Sequence, residues 1–112
     1  MPKLRQRTDK GPVTATPSRT YWGRRVELTA VLPPSYAPPG SPVTFYDNCL
    51  PAPRKVLGTV PLMNNVAQLR ITADKLHLGA NDLQASVQLN PSGRSAESVC
   101  SPNAVTVLPV AR

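Results

Sequence analysis

One histidine, two cysteines and six carboxylates are all that this 112-residue chain offers to acid–base, nucleophilic or metal chemistry. Nucleophilic catalysis needs a base held beside the nucleophile. The histidine, His77, falls in Leu76–Asp82, a turn-like stretch, and no local pattern ties it to a serine or cysteine. It reads as an exposed turn residue. The carboxylates Asp9, Glu27, Asp47, Asp74, Asp82 and Glu97 lie on different predicted elements, so no pair is set up for general acid and base work. Two thiols and one imidazole do not complete a closed four-ligand zinc site. Asp47-Asn48 and Asn81-Asp82 bring one carboxylate each to a possible calcium loop, and both read more simply as turn-forming Asx residues. Glycine-rich phosphate loops are absent from the sequence. The expectation is a protein without catalytic residues, metal or cofactor.

The two cysteines, Cys49 and Cys100, leave two readings open. A bridge over a loop of that length contributes about 4 kcal/mol on the chain-entropy model. It requires Cα atoms within about 7 Å, which spacing alone does not reveal. Two unrelated buried thiols are the other reading.

Charge is the more suggestive feature. Thirteen Lys and Arg oppose six acids, for a formal net charge of +7. Such an excess speaks to partners and solubility rather than to fold. Lys3, Arg5, Arg7 and Lys10 sit in residues 1–11, a segment without periodicity that reads as a flexible basic arm before a domain over 12–112. The arm fits a solubilising tail, a strap onto a neighbouring subunit or capsid surface, or a nucleic-acid contact. The last is the weakest, because no aromatic residues are interleaved for base stacking. Trp22, with Tyr21, Arg24 and Arg25, forms a second candidate partner-binding group. The competing reading, which we prefer, has Trp22 covering one end of the core.

The N-terminus lacks the apolar stretch of a secretory signal, so the chain either stays where it is made or is part of something longer. Met1 favours a complete product. No apolar run approaches the 18 or so residues that span a bilayer, so no membrane partner is expected.

The elements that would position these residues are short. Fourteen prolines spread along the chain argue against long helices. Arg25–Leu32 alternates, with Val26, Leu28, Ala30 and Leu32 on one face of a strand. A loop over Pro33–Gly40 leads to Pro42–Asp47, where Val43 and Phe45 share a face. Lys55–Val60 reads as a short edge strand. Asn64-Asn65 tolerates the positive φ of a tight hairpin before Val66–Ile71, with Ala67, Leu69 and Ile71 inward. Leu83–Leu89 alternates with Leu83, Ala85, Val87 and Leu89 inward. Asn90–Arg94 turns the chain, and Ala104–Val110 closes it. About seven strands with turn signals between them predict an all-β, immunoglobulin-like sandwich of two antiparallel sheets in one domain.

The ordered set of segments resembles the bacterial Ig-like repeat domains of the group-3 type. The matching stretches are Thr16–Val26 into Glu27–Ala30, Gly40–Asp47, Leu57–Leu62, Asn65–Leu69, Leu78-Gly79 before Leu83–Val87, and Ala104–Val107. Together they cover roughly residues 12–110. The resemblance implies a non-catalytic spacer or display module, as found in bacterial surface proteins and phage virions. Three departures stand out. The chain is Arg-rich, the segment Asn48–Arg54 is longer than the usual turn, and the Asn90–Ala96 connection lacks an aromatic residue. Nor do the cysteines sit on the strands bridged in antibody domains.

Three roles follow as expectations. The leading one is a virion assembly protein, a capsid-decoration or tail-associated subunit made in the host cytoplasm, whose partner is a protein lattice. The second is a spacer or adhesion domain of a cell-surface or secreted protein. The third, a polysaccharide-binding accessory module, is disfavoured by one Trp, three Tyr and one Phe. No small-molecule substrate is expected.

Overall fold

The computed structural model describes residues 13–32, 36–89 and 94–109. The arm with Lys3, Arg5, Arg7 and Lys10, the start of the domain at residue 12, and the turn at 90–93 lie outside the described residues. Nine strands are described: β1 (Val13–Thr16), β2 (Arg19–Tyr21), β3 (Arg25–Val31), β4 (Pro42–Asp47), β5 (Lys55–Pro61), β6 (Val66–Thr72), β7 (Gly79–Leu89), β8 (Arg94–Glu97) and β9 (Ser101–Leu108). One turn of 3-10 helix, Ala73–Lys75, separates β6 from β7.

Two sheets pack face to face, as expected of an immunoglobulin-like sandwich. One has the order β1-β3-β6; the other runs β2-β9-β7-β4-β5, with β8 also paired to β7. The alternation read from sequence is what the core uses. Along β3, Val26, Leu28 and Ala30 are buried while Arg25 and Val31 are exposed. Val43 and Phe45 of β4 and Leu83, Ala85 and Val87 of β7 supply the facing layer. Leu69 and Ile71 of β6 are only partly buried against it. Each fully buried side chain of the size of Leu28 or Phe45 stabilises the fold by roughly 1.5–3 kcal/mol.

Three features differ from the sequence reading. First, β1, β2 and β8 bring the count to nine rather than seven, and one pairing is parallel. The chain leaves the first sheet after β1, passes the cis Thr16–Pro17 bond, and joins the second sheet as β2, parallel to β9. The expectation of purely antiparallel sheets is corrected at this edge. Second, Asn64 and Asn65 do make a two-residue turn, with φ of 53° and 65°. Reciprocal Met63–Val66 backbone bonds of 2.9 Å close it. Yet the flanking strands β5 and β6 belong to different sheets, so the turn carries the chain across the sandwich instead of forming a ladder. Third, β7 begins at Gly79, inside the stretch read as a turn, and β9 begins at Ser101.

On the β5–β6 side an edge strand of each sheet faces the other. Gly58 of β5 stands against Leu69 of β6, and a Cβ there would sit 3.0 Å from the Leu69 methyl carbons. A residue without a side chain lets the two sheets close at that point. On either side of it the seam stays open.

Candidate functional site

Several of the described residues singled out for chemistry make hydrogen bonds within the fold. Asp47 ends β4 on the inward row and is buried. Its Oδ2 lies 3.0 Å from Nδ1 of His77, and its Oδ1 has no hydrogen-bond partner. The other imidazole nitrogen, Nε2, lies 3.0 Å from the Ala80 carbonyl. Each ring nitrogen of His77 thus faces an oxygen of the fold, Asp47 on one side and the Ala80 carbonyl on the other. The buried Asn81 amide ties the same turn together. Its Oδ1 accepts the His77 N–H, and its Nδ2 donates to the carbonyls of His77 and Gly79. Asp82 accepts the Asn103 N–H through Oδ1 at 2.8 Å. Among the described residues, no three His, Cys, Asp or Glu groups gather where they could hold a metal ion.

The cysteine alternatives resolve to a bridge, Cys49–Cys100, with Cα atoms 5.7 Å apart. It joins the segment that follows β4 to the residue that precedes β9, the two strands that flank β7. Leu83 and Ala85 of β7 point into the core, so Gln84 between them points out. Gln84 is nevertheless only 6% exposed, because the segment Asn48–Arg54 folds over it. The amide Oε1 accepts from the Leu50 N–H at 2.9 Å and from Arg54 Nη1 at 3.2 Å. Its Nε2 donates to the Ser98 carbonyl at 2.8 Å. Arg54 stacks 3.7 Å above the Tyr46 ring and bonds Glu97 at 2.7 Å. The insertion noted as longer than a usual turn is thus a strap across β7, clamped at one end by the disulfide.

Four basic residues, Arg25, Lys55, Arg70 and Lys75, collect elsewhere. A groove of about 490 Å³ lies beside the β5–β6 seam, lined by Arg25, Leu57, Arg70, Ile71, Thr72 and Lys75. The partly buried Leu57 and Ile71 give it apolar walls. Lys55 joins the rim, its Nζ donating to the Lys75 carbonyl at 2.8 Å. Two carboxylates temper the charge: Glu27 bonds Arg70 at 3.2 Å, and Asp74 accepts from the Thr72 hydroxyl. Beyond Gly58 a second groove of about 510 Å³ continues along the seam, lined by Val60, Pro61, Met63, Asn64, Val66 and Gln68.

Of the partner-binding residues proposed from sequence, Arg25 lies in the basic groove, while Arg24 is exposed beside it in the chain. Trp22 is 38% exposed and Tyr21 41%. Lys55, Leu57, Arg70, Ile71 and Lys75 were missed as a group. Arg70 could be placed on the solvent side of β6 from its position between Leu69 and Ile71. Nothing in the sequence brings it to Leu57, because β5 and β6 meet only across the gap between sheets.

The chain matches no protein-family model, and no curated protein matches it.

Proposed function

We propose that this protein is a non-catalytic binding module, an assembly subunit of a virion (capsid decoration or tail-associated) that docks through its basic arm and one edge of the sandwich. The observation that carries this reading is the gathering of Arg25, Arg70, Lys75 and Lys55 about an open seam between two sheet edges. A basic, partly apolar edge on a chain of net charge +7 complements an acidic protein lattice and speeds encounter with it. The chemistry-bearing groups support binding over turnover: His77, Asp47 and the cysteines are engaged with one another or with backbone.

The disulfide favours a second reading. Bridges persist in oxidising surroundings, which include virion exteriors and also secreted and surface proteins. A spacer or adhesion domain of a bacterial surface protein carries the same bridge for the same reason.

The test is co-sedimentation of the chain, with and without residues 1–10, with particles from its source over a range of salt. Binding that needs the arm and falls with salt supports the assembly subunit. Failure of both forms to bind at low salt overturns it and leaves the spacer.

A further inference from the structure

We propose that the free edge of β6, together with the basic groove at its end, is a strand-addition site for an extended acidic segment of a partner protein. This deepens the docking role above and rests on it.

An unpaired strand edge is a template for another chain, and natural sheets blunt their edges with short strands, bulges, Pro or Lys. The other edges here show those devices. β1 has four residues and runs into Pro17; β2 has three. β5 starts at Lys55, ends at Pro61, and its pairing with β4 is broken by a bulge between Phe45 and Tyr46. β8 has four residues. β6 is different. It has seven residues in unbroken register with β3, from Arg25↔Thr72 to Val31↔Val66, and contains neither Pro nor Lys. Among the described residues it pairs with β3 alone; apart from Val66, whose N–H and C=O are bonded to Met63, its other side presents the unpaired backbone donors and acceptors of Gln68, Arg70 and Thr72, over about 20 Å at roughly 3.3 Å per residue.

The surroundings specify the occupant. Arg25, Arg70 and Lys75 at one end select carboxylates, while Leu57 and Ile71 beside them, and Val60 and Met63 farther along, accept apolar side chains. An added strand places alternate side chains on opposite faces. A segment alternating acidic and apolar residues therefore meets both requirements at once. A second copy of this chain is disfavoured, since edge-to-edge pairing would join two molecules of charge +7 and bring their β6 arginines together. A nucleic acid would want stacking platforms, and no aromatic residue lines either groove. The opposite open side of the sandwich, near Ser18, Arg19 and Asn103, offers one cation and no long free strand, and so makes no comparable site.

The probe is an acetylated octapeptide alternating Glu and Val, titrated at low salt into the isotope-labelled full chain. The expected result is NMR shifts at Leu57, Arg70 and Ile71, with new exchange protection of β6 amides. Its affinity should fall at least about ten-fold on combining Arg25→Glu, Arg70→Glu and Lys75→Glu. An N-methylated octapeptide of the same charge, unable to pair with a strand, should also lose binding. That arm needs no protein variant. No shifts at about 1 mM peptide, or undiminished binding of the N-methylated form, overturns the proposal. Tighter binding of a single-stranded DNA oligonucleotide to the same residues overturns it in favour of nucleic acid. Protection of β6 that grows with protein concentration alone overturns it in favour of self-pairing. Particle binding that needs residues 1–10 but ignores the three reversals would retain the assembly role and remove this site.

Discussion

The outer face of β7 and the free side of β6 are both places where a sheet meets solvent, and the chain treats them oppositely. Over β7 it lays the Asn48–Arg54 strap, buries Gln84 beneath it and fastens the strap with a disulfide. Beside β6, among the described residues, it leaves the edge beyond Val66 unpaired and places cations and aliphatic side chains around it. Polar groups with every partner satisfied lock a face into one arrangement. Polar groups left for an outside partner make an edge available. The difference teaches that the disulfide-fastened strap and the basic edge are separate regions of this small domain, and each can be perturbed without the other.

The largest way to break the comparison is to remove the clamp. Cys49→Ser with Cys100→Ser opens a loop of sequence separation 51, whose closure is worth about 4 kcal/mol on the chain-entropy model. Urea denaturation of the double variant should give a loss of that order, and a reductant should reproduce it in the parent chain. The peptide shifts at Leu57 and Ile71 should persist under conditions where the variant stays folded. A loss below about 1 kcal/mol would mean that the strap is held without its bridge, and that the hydrogen bonds to Gln84 dominate.

Those bonds are the next largest effect. Gln84→Ala strands the Leu50 N–H and the Ser98 carbonyl and takes one acceptor from Arg54. Leaving such buried groups unpaired costs about 2 kcal/mol. Gln84→Glu sharpens the reading. A carboxylate still accepts from Leu50 and Arg54 but cannot donate to Ser98, which it now faces with a second oxygen. Thermal unfolding should place it between the parent and Gln84→Ala. Equal stability for all three would show that the strap does not depend on the amide.

How far the sequence led follows the same division. The strand faces of β3, β4 and β7 were legible because a half-buried strand writes period-2 alternation into its own residues, as Val26, Leu28 and Ala30 do. The Asn64-Asn65 turn was legible because positive φ selects Asn. What joins distant segments was not. Cys49 and Cys100 approach only because β4 and β9 flank β7, and Arg70 meets Leu57 only because the chain crosses between sheets after β5. β1 and β2 are too short for a period to register, and Pro17 between them hid a change of sheet. Gln84 read as one more outward polar residue, since its burial comes from a strap folded back from another part of the chain.

The smallest expected effect on stability is at the seam, and its smallness is informative. Arg70 is 87% exposed, and its ion pair with Glu27 spans the β3–β6 register directly. Exposed pairs of this kind contribute at most about 1 kcal/mol, because solvent screens the attraction and two long side chains must be ordered. Arg70→Ala should therefore shift the urea midpoint by less than about 0.5 kcal/mol equivalent. Arg70→Glu sets like charges on facing positions and should cost somewhat more, still under about 1 kcal/mol. Raising salt should narrow the gap between those two variants, since the repulsion is screened while the lost side-chain contacts are not. If Arg70→Ala alone cost more than about 2 kcal/mol, the cation would be part of the scaffold. The contrast between a face built for rigidity and an edge left for a partner would then fail at its most exposed residue.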